Sequence, residues 1–462
     1  MLIKRYDLNK YVSLLFLFLS LLFIGIMTFN ALSKPFILYD DYYTLGIVRL
    51  PFMEMINATA VNVHPPLYYV ILKVFEKIFN PTSNFNFLLL GKIVSVIPLV
   101  LLFGLAWTKI KNEFGLVVSG VFSLLLCSSF QVMFFSTVIR MYSWALLFLT
   151  FQFVFAYDIL TKNTKKSWIV FTLVGICCAY THYFAAISAV IIYLGVLSCF
   201  IFNNKSKIKM WLISVGVCIV AYLPWVNILL SQLSAVESDY WIKPITFDTV
   251  LQYFQFIFSP SNDVLGIVLI LMVIALIFGV IKNNKFENFK INYSMMLVAT
   301  IFVVMLVGII LSLLIRPIFV SRYILPLFGG FYLGIAILVD NVKSNKKLFS
   351  ILLVIIVGIS IAGVIGFINE TNADLDVSND NQNLLDSVNE DGVVVIFNDG
   401  LSFIRYSPYL DKDIVVVGDI NSSIANYPNS KIIVFDKHHD LDNSNFEKIG
   451  VINQDTVYIV KK

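Results

Sequence analysis

The chain has 462 residues, of which 59% are hydrophobic, 15% aromatic and only 13% charged. Soluble domains are about 45–50% apolar and about 25% charged, so this composition excludes a soluble enzyme, a disordered chain and a nucleic-acid-binding protein. The net charge of +4 is the sum of +13 over residues 1–368 and −9 over residues 369–462. We therefore predict two domains: a basic membrane domain, residues 1–368, and a small acidic soluble domain, residues 369–462.

Apolar segments of membrane-spanning length recur along the first domain. A transmembrane helix needs about 20 mostly apolar residues. The sequence contains about eleven such segments: 11–32, 87–107, 115–135, 139–160, 168–182, 184–202, 210–230, 263–281, 293–315, 323–340 and 348–368. The first lacks a small-residue cleavage site and is long for a signal peptide, so we expect it to be retained. The predicted fold class is mainly α, a polytopic membrane protein.

The polar connections between these segments alternate in charge. Six connections are short and rich in basic residues: 4–10, 109–111, 162–166, 205–209, 282–290 and 343–347. The positive-inside rule places all six in the cytoplasm. The N-terminus is then cytoplasmic, and the acidic C-terminal domain is extracytoplasmic.

The first outer loop, about residues 33–86, carries the sequence Tyr39-Asp40-Asp41 directly after the first apolar segment. A carboxylate partly removed from water can serve as a general base. An acidic pair in the first turn of a helix, favoured by the helix dipole, is the alternative interpretation.

The same loop contains His64-Pro65-Pro66, followed by an apolar stretch that ends at Phe79. Consecutive prolines favour a helix start, so we predict an amphipathic helix on the outer leaflet with Lys73 and Lys77 on its wet side. His64 lies at the bend, where it can bind a phosphate or a metal, or simply cap the helix.

Further rare side chains fall on the predicted outer face. They are Arg140 and Tyr142, His182, the pair Tyr240-Trp241, and Arg316 with Arg322 and Tyr323. Arginine at a membrane edge often only snorkels, but it is also well suited to bidentate phosphate recognition. Tyr240 and Trp241 can stack on a sugar or form part of an interfacial aromatic belt. Together these residues suit an anionic lipid head group and a hydroxyl-bearing partner.

The C-terminal domain is predicted to be a small α/β unit. Its β-branched runs are 393–397, 414–417, 432–435 and 457–460, and polar helix-like segments lie near 380–389 and 401–409. His438 and His439 lie in a polar loop with Asp436 and Asp440, where a solvated loop is the default and a metal site the alternative. The five cysteines all lie in apolar runs of the first domain and suggest no disulfide framework.

The membrane domain resembles the GT-C fold glycosyltransferases of the family 39 or protein-mannosyltransferase-like superfamily, which includes the lipid A aminoarabinose transferase. The resemblance rests on Asp40-Asp41, on His64-Pro65-Pro66-Leu67, on Arg140-Met-Tyr142 and on Arg322-Tyr323. The family usually has Asp-Glu in the first loop. Here Asp41 replaces the glutamate, which leaves Asp40 in the family's catalytic place.

The resemblance implies a transferase that moves a sugar from a polyprenyl- or dolichyl-phosphate donor to an acceptor hydroxyl on a glycan, lipid or protein. Asp40 and Asp41 are then the catalytic candidates, with Asp40 as the general base. The donor-phosphate candidates are Arg140, Arg322, His64, His182 and Tyr323, and the substrate-binding candidates are Tyr142, Tyr240 and Trp241. Asp40, Asp41 and His64 could form a partial metal site, but no metal or other cofactor is predicted. A flippase for a lipid-linked sugar and a non-catalytic assembly protein are the alternatives.

Overall fold

The computed structural model describes residues 8–61, 64–235, 242–259, 263–282, 287–389, 392–410, 415–437, 441 and 445–461. Eleven segments of this part coincide with the predicted spans. They are α1 (Leu8–Ser33), α5 (Asn84–Leu105), α7 (Leu116–Ser128) with α8 (Phe130–Phe135), α9 (Tyr142–Thr161), α10 (Lys165–Thr181), α11 (Tyr183–Asn203), α12 (Ile208–Ala235), α14 (Asp263–Lys282), α15 (Phe289–Leu314), α16 (Phe328–Asn341) and α17 (Lys346–Ser387). Two shorter helices, α6 (Lys111–Phe114) and α13 (Phe247–Phe258), lie between these segments in the sequence. The predicted mainly α, polytopic membrane fold is confirmed.

Within the described residues, nine helical segments are long and apolar enough to cross a membrane. The two remaining candidates are shorter. The α10 helix has 17 residues, and the α7 helix has 13 before Ser129 adopts an extended conformation and separates it from α8. Length therefore supports nine of the eleven predicted spans, and complete crossing by the other two stays a prediction.

Three helices form the first outer loop: α2 (Tyr39–Arg49), α3 (Phe52–Val61) and α4 (Leu67–Phe79). Prolines separate them. Pro51 precedes α3, and the residue before it, Leu50, is extended, because a residue preceding proline avoids the helical conformation. Pro66 precedes α4, so the predicted helix start after the consecutive prolines is confirmed.

The prediction that Lys73 and Lys77 both lie on the solvent-facing side of α4 is partly wrong. Lys77 is exposed, but Lys73 is buried, and its Nζ donates a 2.7 Å hydrogen bond to the backbone oxygen of Val48 on α2. Its ammonium also lies 3.3 Å from Glu76. Lys73 therefore links α4 to α2. Its burial is tolerated because the Val48 backbone oxygen and the Glu76 carboxylate satisfy its ammonium inside the loop.

The C-terminal domain contains a five-stranded sheet in the order β2-β1-β3-β5-β4. The strands are β1 (Val393–Phe397), β2 (Val415–Val417), β3 (Lys431–Asp436), β4 (Phe446–Ile452) and β5 (Asp455–Val460). The first three are parallel, and β5 and β4 continue the sheet in antiparallel pairing. The four predicted strands are present. The prediction missed β4, an edge strand whose side chains are mostly exposed.

Two short helices complete this domain, α18 (Gly400–Tyr406) and α19 (Ile420–Asn426). The α18 helix and the turn after it match the predicted segment 401–409, whereas α19 was not predicted. The second predicted helical segment, 380–389, is the end of α17, which runs without a break from residue 346 to residue 387. His438 and His439 lie outside the described residues.

Three of the six basic connections meet at one end of the helical bundle. Lys162 Nζ lies 3.5 Å from Asp158, Lys109 pairs with the same carboxylate, and Lys290 Nζ donates to the backbone oxygen of Glu113 at 3.0 Å. These contacts place Lys109, Lys162 and Lys290, one from each of three basic connections, on a common side, as the charge pattern predicts. At the opposite end, α18 of the C-terminal domain packs against α2 of the first outer loop.

Candidate functional site

The first turn of α2 presents Asp40 at the end of the bundle where α18 of the C-terminal domain packs. The Asp40 side chain is 32% exposed, and its Oδ1 lies 3.6 Å from Nη2 of Arg140. The neighbouring Asp41 fixes the start of the helix, because its Oδ2 accepts from the backbone N–H of Leu38 at 3.2 Å. Asp40 is thus an accessible carboxylate held beside a buried cation.

Arg140 lies in the connection between α8 and α9 and joins three parts of the outer loop. Its Nη1 contacts the Tyr69 hydroxyl of α4 at 3.1 Å and the Thr44 hydroxyl of α2 at 3.4 Å. Its Nη2 lies 3.0 Å from Nε2 of His64. One guanidinium therefore holds α2, α4 and the His64 bend in a fixed arrangement, with fork geometry that an ammonium could not reproduce.

His64 is held as a neutral ring. Burial lowers the pKa of the His64 imidazole well below its usual range, and the positive charge of Arg140 lowers it further. A guanidinium has no acceptor atom, so Nε2 accepts from Arg140 and the ring proton resides on Nδ1. His64 can therefore donate one hydrogen bond from Nδ1 without carrying a charge.

A second group of predicted residues lies beside the first. Arg322 Nε donates a 2.8 Å hydrogen bond to the Tyr142 hydroxyl. The ring of His182 lies 5.8 Å from that of Tyr142 and 4.7 Å from that of Tyr323, measured between centroids. His182 Nδ1 accepts from the backbone N–H of Phe184, which orients the ring at the start of α11. Four side chains from three parts of the chain thus converge here.

Asp41 occupies a different environment from Asp40. It is completely buried, and its Oδ2 lies 3.0 Å from Nζ of Lys92, which is also completely buried. Its Oδ1 accepts a 2.7 Å hydrogen bond from the backbone N–H of Ile139. The carboxylate is thus occupied by an ion pair and by two backbone donors. The two adjacent aspartates therefore differ in environment: Asp40 is partly accessible to solvent, whereas Asp41 is completely buried.

An apolar cavity of about 690 Å³ adjoins this cluster. Its walls come mainly from α10, α11, α12 and α15 and include Tyr193, Trp211, Val215 and Leu311. Its polar lining residues include His64, His182 and Tyr323, which the sequence predicted for the site, and Arg316. An apolar chamber with a few polar groups in its wall is typical of a site for an amphipathic ligand.

The structure brings together seven of the predicted site residues: Asp40, His64, Arg140, Tyr142, His182, Arg322 and Tyr323. Asp41 lies next to them but is completely buried and paired with Lys92. Tyr240 and Trp241 lie outside the described residues. Among the residues that the structure describes, no group of three or more His, Cys, Asp or Glu side chains is placed to hold a metal ion.

Sequence reasoning did not identify Tyr69 and Lys92 as site residues, and it placed Arg316 on the outer face without assigning it a role. Lys92 is a charged residue inside an apolar helix, a pattern that usually marks an internal partner or a functional site. Tyr69 lies three residues after the consecutive prolines, and no separate signal distinguishes it from the other tyrosines of the loop.

The helical bundle, the helical first outer loop and the C-terminal sheet together form a GT-C fold, as comparison with solved structures shows. No family model matches the chain, and no curated protein matches it by sequence. The structure of ArnT from Cupriavidus metallidurans bound to undecaprenyl phosphate is similar with a TM-score of 0.63 and 10% identity, over 98% of each chain.

Apo ArnT from the same organism is similar with a TM-score of 0.61 and 11% identity, over 95% of this chain and 97% of ArnT. The Archaeoglobus fulgidus oligosaccharyltransferase also matches, with a TM-score of 0.49 and 9% identity, over 90% of this chain and 68% of that one. The similarity to ArnT extends over nearly the whole chain and includes the C-terminal domain. It confirms the fold that the sequence predicted.

Proposed function

We propose that this protein is a membrane glycosyltransferase that uses a polyprenyl- or dolichyl-phosphate sugar as donor. It transfers the sugar with inversion to an acceptor hydroxyl at the outer face of the membrane, and Asp40 is the general base. ArnT, which has the same fold, was solved with undecaprenyl phosphate bound. The acceptor belongs to the class of hydroxyl-bearing glycans, lipids or proteins.

One observation carries the proposal: Arg140 lies between the partly exposed Asp40 carboxylate and the apolar cavity. It lies 3.6 Å from Asp40 on one side and 3.0 Å from His64 on the other, and His64 lines the cavity. A polyprenyl chain in the cavity therefore ends, at its phosphate, beside Arg140. The sugar attached to that phosphate then lies next to Asp40.

The reaction is a single displacement at the anomeric carbon. Asp40 accepts the proton of the acceptor hydroxyl as its oxygen forms the new bond to this carbon. The bond from the carbon to the phosphate oxygen breaks, and the lipid phosphate leaves with the electron pair. The transition state resembles an oxocarbenium ion, as in glycoside hydrolysis.

Fixed donors stabilise the leaving phosphate. Arg140 and Arg322 supply positive charge, and neutral His64 and His182 supply N–H groups in a site shielded by the cavity walls. Prepositioned donors in such a site stabilise developing charge better than water does. Before the donor binds, Arg140 pairs with Asp40. The arriving phosphate competes for the guanidinium and leaves the carboxylate free to act as a base.

Asp41 is proposed to position the site rather than to touch the substrate. It follows the base in sequence, and it accepts from the backbone of Ile139, the residue before Arg140. Its ion pair with Lys92 anchors both to α5. Tyr142 is assigned to orienting Arg322 through their hydrogen bond.

Replacement of Asp40 tests the catalytic assignment. Asp40→Asn should lower the rate of sugar transfer by about 10²–10⁴-fold, the usual contribution of a general base, while binding of undecaprenyl phosphate is retained. Glu54→Gln is the matched control, because Glu54 is an exposed acid in the same outer loop. Transfer by Asp40→Asn at the wild-type rate would show that Asp40 is not the base.

A vesicle assay separates this function from its alternatives. A transferase consumes the lipid-linked sugar and releases lipid phosphate, whereas a flippase moves the lipid across the bilayer unchanged. A non-catalytic assembly protein does neither. Analysis of the product anomer tests inversion.

The proposed orientation has the N-terminus in the cytoplasm and the C-terminal domain outside. The packing of α18 on α2 supports this, because it requires the first outer loop and the C-terminal domain to lie on the same side. A protease added to intact cells should remove the C-terminal domain. Complete protection of this domain would contradict the orientation.

A further inference from the structure

The α2 helix presents two functional faces besides its core face. Asp40 and Thr44 face Arg140. A second face of α2 contacts the C-terminal domain. It consists of residues three or four positions apart, which lie on one side of a helix: Tyr39, Tyr42, Gly46 and Arg49. The base-bearing helix is therefore held between the donor site and the soluble domain.

The packing along this second face is close. At Gly46, a Cβ atom would lie 2.0 Å from the backbone oxygen of Ile404, so any larger residue would push α18 away from α2. The Tyr42 ring packs edge-on against Tyr406 and Tyr409, with centroids 5.4 Å and 4.9 Å apart. The C-terminal domain is thus fitted to α2 along the length of the helix.

Arg405 of α18 contacts the end of α2 that carries Asp40. Its guanidinium carbon lies 3.8 Å from the ring centroid of Tyr39, the residue before Asp40, and 5.6 Å from that of Tyr43. The side chain is only 5% exposed, and within the described structure its Nε and Nη1 have no hydrogen-bond partner. Stacking on Tyr39 is therefore its principal contact with α2, in a partly desolvated setting where cation–π contacts are strongest.

Arg405 lies near the carboxyl of Asp455 inside the C-terminal domain. Asp455 is completely buried and accepts hydrogen bonds from the Ser402 hydroxyl at 2.5 Å and the Tyr406 hydroxyl at 3.2 Å. Burial raises the pKa of the Asp455 carboxyl, and Arg405 is among the groups that act against that rise. Arg405 thus lies near an acidic group of its own domain and stacks on Tyr39 of α2.

We propose that Arg405 is a positioning residue for the reaction, through which the C-terminal domain holds the first turn of α2 and keeps Asp40 in place. This inference rests on the proposed function. The first turn of a helix lacks the backbone bonds that stabilise its interior, so side-chain contacts determine how well it is ordered. Displacement of a catalytic group by about 1 Å can cost about 10²-fold in rate.

The chain contains a matched control for this proposal. Arg49 lies at the other end of α2, where Nη1 contacts the backbone oxygen of Pro408 at 3.5 Å and the guanidinium lies 5.6 Å from the Tyr409 ring centroid. It is a second arginine in the same interface, but it lies about 13 Å along the helix from Asp40. A merely structural role would give variants of Arg405 and Arg49 the same phenotype.

The experiment compares Arg405→Gln with Arg49→Gln in the full chain. Both should lower thermal stability. Only Arg405→Gln should lower kcat, by about 10-fold or more, with the KM for the lipid-linked donor within about twofold of wild type. Equal kcat values for the two variants, or a loss of donor binding that accounts for the whole effect, would overturn the proposal.

A second pair of variants covers the case in which Arg405→Gln does not fold. Tyr39→Leu removes the stacking partner from the α2 side and should reproduce the kcat loss, whereas Tyr39→Phe keeps the ring and should not. Where both single variants fold, Tyr39→Leu and Arg405→Gln should be non-additive in the double variant. A full kcat in Tyr39→Leu would overturn the proposal.

Hydrogen exchange distinguishes failure of this inference from failure of the proposed function. Arg405→Gln should speed amide exchange in the first turn of α2, and Arg49→Gln should not, whatever reaction the protein catalyses. Unchanged exchange in Arg405→Gln contradicts the positioning role. Absence of sugar transfer by the wild type, with exchange changed as expected, contradicts only the proposed function.

Discussion

The backbone N–H of Ile139 donates a 2.7 Å hydrogen bond to Oδ1 of Asp41, which joins the residue before Arg140 to the residue after Asp40. Asp40, the proposed base, and Arg140, the proposed phosphate ligand, are therefore held in register by one buried carboxylate. That carboxylate is in turn neutralised by Lys92.

Removal of the Asp41 charge should destabilise the protein. Asp41→Asn leaves Lys92 buried without its counter-ion, and breaking a buried pair costs about 3–5 kcal/mol. Unfolding in detergent, followed by circular dichroism, measures the loss. The double variant Asp41→Asn with Lys92→Met should recover part of the stability, because it removes the unpaired charge. A loss as large in the double variant as in the single one would contradict this account of the pair.

Replacement of Arg140 should weaken binding of the lipid phosphate. Hydrogen bonds to charged groups contribute about 1.5–3 kcal/mol, so Arg140→Gln should raise the Kd for undecaprenyl phosphate by about 10–150-fold. Arg140→Lys should recover little, because an ammonium cannot reach Asp40, His64 and Tyr69 together. Lys77→Gln, at an exposed cation of α4, is the control and should bind normally.

Filling the cavity should exclude the lipid chain. Val215 lines the cavity, whereas Val220 lies on the same helix, is 66% exposed and does not line it. Val215→Trp should therefore raise the KM for long-chain donors more than for short-chain ones, and Val220→Trp should leave both unchanged. Equal effects of the two substitutions would show that the cavity does not hold the chain.

Protonation of His64 should oppose folding. In the unfolded chain His64 titrates near its ordinary value of 6.5, whereas burial and Arg140 keep it neutral in the folded protein to much lower pH. The unfolded state therefore binds more protons below about pH 6.5, and stability falls as the pH drops through that range.

Thermal unfolding at about pH 7.5 and about pH 5.5 tests this effect. His64→Gln should lose less stability than the wild type between the two values, because Gln can accept from Arg140 and does not titrate. An equal or larger loss in the variant would contradict the neutral assignment of His64.

The architecture was predictable because its signals are local. Apolar length marks each helix of the bundle, basic connections mark one side, and Pro65-Pro66 marks the start of α4. The position of Lys73 was not predictable, because its burial depends on an acceptor on a different helix, the Val48 backbone. The β4 strand was missed because an exposed edge strand with charged residues lacks the apolar signal of the inner strands.

The site was predictable as a set of residues but not as an arrangement. Rare polar side chains on one face of an apolar chain indicated Asp40, His64, Arg140, His182 and Arg322. Only the family resemblance placed Asp40, rather than Asp41, as the base. The residue pattern itself could not separate them, because their difference in burial arises from Lys92 and Ile139, residues about 50 and 100 positions away. The role proposed for Arg405 likewise depends on the packing of α18 against α2, which no sequence motif predicts.

A structure of the protein with undecaprenyl phosphate bound tests the central claim most directly. The account predicts the phosphate within hydrogen-bond distance of Arg140, the polyprenyl chain in the cavity that Val215 lines, and Asp40 facing the phosphate ester. A phosphate bound away from Arg140, with the cavity empty, would contradict it.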